Sequence, residues 1–282
     1  MTGAIGSDDA VRALDARLRA HASAADEVHD PIEYPTAPVA NPQFAAAVRA
    51  VARLERSTIP RLRRMLVSPT HLDARLTAFF STWAYERYWI ADRLDQLGAA
   101  HAGDGTAGIP ADGAEPPVDR AALRRDRRER VWLLGTAIAT NLVGPPMVAV
   151  HVLQCLVDEW VLDEVYAALT AEVPDDRSAE VVADIRRVKA EHAEILRLAF
   201  ALRLPERGNG RRLVALALRR IGWPADAGLG AAHLRALRRL VRGDPGSLSR
   251  ITERINALGL GGYRVALLAP RRSTVLRIRR VK

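Results

Sequence analysis

Four stretches of the chain repeat apolar residues at helical spacing for about 25 residues, and each sets an ionisable side chain within its apolar stripe. Glu55 shares a face with Val48, Val51, Ala52, Ile59 and Leu62. Glu86 has Phe79, Thr82, Trp83, Trp89 and Ile90 around it, and Glu159 has Val152, Cys155, Leu156, Leu162 and Tyr166. His192 lies among Ile185, Val188, Ile195, Leu196 and Ala199, with Lys189 beside it. Burying a charge is costly unless a proton, a counter-charge or a metal compensates it. Four such groups therefore predict a bundle that brings them together. Glu191 and Glu194, in contrast, share a face with Asp184, Arg187 and Arg197 and read as solvated.

The punctuation sets the helix limits. Asn41-Pro42 opens a helix over 41–66, which Pro60 is expected to kink or split. Ser68-Pro69-Thr70 makes a turn, and the second helix spans 72–97 and stops at Gly98. The third and fourth span 147–172 and 178–202 around Val173-Pro174-Asp175-Asp176. Counted from these turns, Glu55, Glu86, Glu159, Lys189 and His192 all fall at one level along the axis. A polar Gly/Ala/Pro loop over 99–118, expected to be mobile, and a connecting helix over 119–142 link the two hairpins. A link of that length makes the second and third helices parallel. Residues 1–40 are a lead-in, with a short helix in 1–20 and a proline-rich extended stretch over 29–42.

Residues 131–157 contain no Asp, Glu, Lys or Arg, long enough to span a bilayer. Gly144-Pro145-Pro146 breaks that run and Asn141, His151 and Gln154 interrupt it, so two buried helices meeting at a turn are expected rather than membrane insertion. The start lacks a basic segment followed by an apolar one, so no secretory signal is expected. Cys155 is the one cysteine, which excludes an intrachain disulfide and fits a reducing, cytoplasmic setting.

Charge is uneven. Residues 207–282 hold 18 Arg plus Lys against 3 Asp plus Glu, a net +15, so of the total of +9 the remaining −6 falls on residues 1–206. This basic region reads as short helices over 211–221, 231–241 and 248–258, closed by a β-hairpin around Pro270. Its partner is either the acidic body of the same chain, an acidic protein, or a polyanion such as nucleic acid or a membrane surface. Trp223 and Tyr263 alone interleave aromatically, too few for a base-stacking platform.

The arrangement over about 41–203 resembles the ferritin-like superfamily, which includes rubrerythrin-like proteins and di-iron oxygenases. The resemblance implies a four-helix bundle with one long crossover, carrying a Glu on each of two helices and a Glu-x-x-His on each of the others. Glu55 and Glu159 match the single glutamates. Glu86-Arg87-Tyr88-Trp89 carries Trp where His belongs, and Lys189-Ala190-Glu191-His192 carries Lys where Glu belongs. Tryptophan does not ligate iron, and an ammonium repels the cation it would have to join. Lys189 is instead expected to pair with Glu86 or Glu159.

The expectation is thus an all-α, ferritin-like protein, with a basic helical C-terminal region, whose di-metal site is lost or remodelled. It would serve in binding or scaffolding, with no cofactor and less than one tightly held metal per chain. One alternative is a di-iron-type oxidoreductase holding iron or manganese on Glu55, Glu86, Glu159 and His192, helped by Asp158, Asp163 or Glu164. Another is a tail-led nucleic-acid or membrane-surface adaptor. Whether the chain is an enzyme, and whether it forms homo-oligomers, is left open.

Six of fourteen aromatic residues lie between Phe79 and Trp89. Phe79, Trp83, Trp89 and Tyr166 read either as a pocket wall beside Glu86 or as a bulky core layer. Cys155 reads as a buried, inert thiol before a ligand or nucleophile, and His151 as a hydrogen-bonded core histidine. His21, His29, His71, His101 and His233 show no ligand spacing, and no phosphate loop, dinucleotide fingerprint or zinc pattern occurs.

Overall fold

The computed structural model describes residues 7–24, 32–33, 39–102, 140–204, 208–224, 229–268 and 275–281. They are mostly helical: α1 (Ser7–Ala24), α2 (Pro42–Arg56), α3 (Thr58–Leu66), α4 (Ala74–Ala100), α5 (Pro146–Thr170), α6 (Asp176–Arg203), α7 (Asn209–Arg220), α8 (Ala231–Gly243) and α9 (Ser247–Asn256). Three short strands, β1 (Gly222–Trp223), β2 (Tyr263–Leu267) and β3 (Leu276–Arg280), form an antiparallel sheet in the order β1-β3-β2. No described helix is long and apolar enough to cross a membrane.

Local chemistry starts these helices within a few residues of where the sequence predicts. Asn41 accepts a hydrogen bond from the Phe44 N–H with Pro42 in the first turn, and Asp73 and Asp175 cap α4 and α6 in the same way. The 41–66 helix is indeed divided, between Arg56 and Thr58, which leaves Pro60 in the first turn of α3 where its missing N–H costs nothing. Gly144 has φ of 73°, the left-handed turn that ends the helical residues 140–143 before Pro146 opens α5.

Gly98 does not stop its helix. α4 runs on to Ala100, and a Cβ on Gly98 would lie 3.0 Å from Arg49 Cγ and 3.5 Å from the Ala45 carbonyl oxygen. The glycine is there because α2 and α4 approach closely. Residues 99–102, expected in the loop, are likewise ordered by His101, which reaches the Val39 carbonyl at 3.0 Å and Ser178 Oγ at 2.9 Å. The rest of that loop, and the connecting helix as far as residue 139, lie outside the described residues.

α2 packs against α4, and α5 against α6. Thr70, just before α4, bonds His151 near the start of α5, Trp83 bonds Glu159 at mid-length, and His101 after α4 bonds Ser178 beyond the end of α5. The two inner helices therefore run parallel. α1 covers the α4–α6 side, α7 lies on α5 and α8 on α2. Val214, Leu218, Trp223, Leu237, Ile251 and Ile278 belong to the same hydrophobic cluster as the bundle core. The basic region is thus built into the body rather than appended, and Arg239–Glu172, Arg250–Glu164 and Arg254–Asp163 ion pairs join the two. Tyr263 and Val265 of β2 and Leu276 and Ile278 of β3 point inward, while Arg264, Arg277 and Arg279 point out.

Candidate functional site

Arg87 is 1% exposed and stands at the centre of the bundle. Its neighbours at helical spacing, Phe80, Trp83, Ala84, Ile90, Ala91 and Leu94, are all buried, so α4 has no solvent to offer its guanidinium. Carboxylates from two helices surround it instead. Nε pairs with Glu55, one terminal nitrogen lies 2.8 Å from Asp158 Oδ2 and 3.5 Å from Glu159 Oε1, and the guanidinium carbon sits 4.9 Å from the centre of the Trp83 ring. Lys189 adds a second cation, 2.6 Å from Glu159 and 3.2 Å from Glu55. Arg61 on α3 adds a third, 3.0 Å from Asp158.

Neutral donors fill the remaining lone pairs. Tyr166 donates to Glu55 at 2.9 Å, Trp83 to Glu159 at 2.7 Å and Trp223 to Asp158 at 3.0 Å. Burial by itself would raise the Glu55 and Asp158 carboxyls, but Arg87 with Lys189, and Arg61 with Arg87, hold them below the usual carboxylate range. Burial and the adjoining Glu55 push the Tyr166 phenol well above its ordinary value, so it remains a donor.

A second constellation adjoins the first. Glu86 Oε2 lies 2.6 Å from His192 Nε2 and 2.9 Å from His21 Nε2, all three side chains being buried. Burial alone would raise the Glu86 carboxyl, but the hydrogen bond from His192 and the approach of His21 bring it down to about 2. Burial pushes the His192 imidazole below its ordinary pKa despite the facing Glu86 and Glu159 carboxylates. The two imidazoles stand edge to face, their centres 5.3 Å apart, and Phe79 lies 5.9 Å from one and 6.3 Å from the other.

Glu55, Glu86, Glu159, Lys189 and His192 therefore do converge at one level, but not around a common point. Lys189 pairs with Glu159 and Glu55; Glu86 is served by histidines. Of the four residues proposed as di-iron ligands, Glu55 and Glu159 are turned onto Arg87 and Lys189, whereas Glu86 and His192 face each other. Asp158 joins the ion-pair network, and Asp163 and Glu164 are taken up by Arg254 and Arg250. Phe79, Trp83 and Tyr166 are buried against these groups, Trp83 and Tyr166 as hydrogen-bond donors. Trp89 parts from them: half-buried, it packs edge-on against the exposed Tyr85 and Tyr88.

Cys155 is buried beside Met65, and burial raises its thiol to about 12, which leaves no nucleophile near neutrality. His151 is held by Ser68 and Thr70 at 3.2 and 2.9 Å, a hydrogen-bonded histidine at the bundle end. The residues that periodicity did not single out are Arg87, Arg61, Asp158 and His21. Arg87 carried the signal, an apolar residue at every helical neighbour. For His21 the signal was its place on the stripe of Leu14 and Leu18 in α1. Comparison of this chain with family models, with curated proteins and with solved structures gives no match.

Proposed function

We propose that the chain is a ferritin-like bundle in which a buried ion-pair network has replaced the dinuclear metal centre, and that it acts in binding or scaffolding rather than as a di-iron oxidoreductase. The observation that supports this is the placement of Arg87 and Lys189 among Glu55, Asp158 and Glu159, where their cations supply the charge that metal ions would bring. The two antiparallel hairpins with parallel inner helices support the ferritin-like part of the reading. Protein purified without chelator is expected to hold at most one transition-metal ion per chain and to show no oxo-bridged di-iron absorption after ferrous iron and air. Two iron or manganese ions per chain would overturn the reading.

A second reading concerns the basic region. Arg211, Arg212, Arg219 and Arg280 line a groove of about 730 Å³ beside Leu216 and Tyr263, whereas Arg239, Arg250 and Arg254 are engaged by carboxylates of the body. The groove thus has the chemistry of a polyanion-binding surface. Substituting Arg212, Arg219 and Arg280 together by Gln should weaken duplex DNA binding. It should also flatten the salt dependence by about 0.9 log unit for each phosphate no longer neutralised. Equal affinity of the triple variant and the parent, across a salt series, excludes the groove.

A further inference from the structure

We propose that His21, Glu86 and His192 form a mononuclear site for one divalent first-row transition-metal ion. The donor atoms come from three helices, α1, α4 and α6, and all lie within 4.8 Å of one another. Two imidazoles and one carboxylate are the donor set of catalytic zinc sites and of non-haem ferrous sites. The site lies outside the Arg87–Lys189 network and depends on α1, which packs against α4 and α6 of the bundle.

Two observations, both unpartnered buried nitrogens, point to an ion rather than to a hydrogen-bonded trio. First, His21 Nε2 is buried and only 2.9 Å from Glu86 Oε2, yet it is out of line for a hydrogen bond to it. Second, the other nitrogen of His192 is also unpartnered. Its Nδ1 has no hydrogen-bond partner and faces Glu159 Oε1 at 3.9 Å. With a metal on Nε2 the ring proton would sit on Nδ1, which would have to close on Glu159 to about 3 Å to make the supporting hydrogen bond usual for a metal-bound imidazole. Donors around a tetrahedral ion at about 2.1 Å stand about 3.4 Å apart, so Glu86 and His192 would separate by less than about 1 Å to admit it.

Co2+ and Zn2+ added to chelator-treated full-length protein test this, by competition against a chromophoric chelator and by the visible spectrum of bound Co2+. One ion per chain is expected, with the intense absorption of four- or five-coordinate Co2+. His21→Gln, on the peripheral helix, should keep the helical circular dichroism of the parent and lose about 100-fold or more in affinity, at least the loss seen on removing a supporting group. His21→Asp should retain Co2+ with a shifted spectrum, and His71→Gln, an exposed histidine, should bind like the parent. Failure to bind Co2+ or Zn2+, or stoichiometric binding unchanged by His21→Gln, overturns the proposal. Neither result touches the ion-pair reading, which two ions per chain would overturn.

Discussion

Arg87→Met is expected to cost about 5 kcal/mol or more and to leave little folded protein, since breaking a buried pair typically costs about 3–5 kcal/mol and this side chain meets three carboxylates. Most of that cost lies in the stranded charges of Glu55, Asp158 and Glu159, not in the attraction forgone. Lys189→Met strands less charge, because Arg87 still serves Glu55 and Glu159, and should fall within about 3–5 kcal/mol. Arg87→Lys should recover only part of the loss, as an ammonium lacks the planar fork that spans three partners. Adding Asp158→Asn or Glu55→Gln to Arg87→Met should regain stability relative to the single variant, the coupling expected of groups in one network. Urea midpoints for this set decide the matter. A single Arg87→Met variant that melts within a degree or two of the parent would show that the guanidinium is solvated.

Removing residues 207–282 is expected to abolish cooperative folding. The cut uncovers α5 where α7 sets Val214 and Leu218, and α2 where α8 sets Leu237 and Leu240. At about 1.5–3 kcal/mol for each large apolar side chain buried, these four alone approach the whole 5–15 kcal/mol by which a domain is stable. Two carboxylates suffer as well. Glu164, 3% exposed, loses Arg250, and Asp158 loses the Trp223 indole. A 1–206 chain that gives a sharp thermal transition at the parent temperature would contradict this. The basic region must therefore be tested for polyanion binding by surface substitutions.

The bundle was legible because its signals are local. Asn41 and Pro60 act on their own helix, and the 3.6-residue period marks the buried faces of α2, α4, α5 and α6. What each face meets was not legible. A short amphipathic helix such as α7 carries the same pattern whether it packs on its own body or on a second protein, so the tail's incorporation appears only in three dimensions. Gly98 misled for a related reason: glycine ends helices through its backbone, yet here it serves a neighbour's approach. At the site, periodicity placed five groups at one level, but pairing depends on rotation about each helix axis. It therefore left open whether Lys189 meets Glu86 or Glu159. His21 escaped because α1 is separated in sequence from both α4 and α6, and the 3.6-residue period says nothing about such distant pairings.

Two of the five tryptophans, Trp83 and Trp223, donate their indole N–H groups to Glu159 and Asp158. Indole emission responds to nearby charge, so these two rings give the interior an optical reporter that needs no label. They come from different parts of the chain, one on α4 and one on the strand that follows α7. A disturbance at the bundle centre and a loosening of the C-terminal region would thus enter the same spectrum from different rings. Phenylalanine at one position and then at the other would separate the two signals.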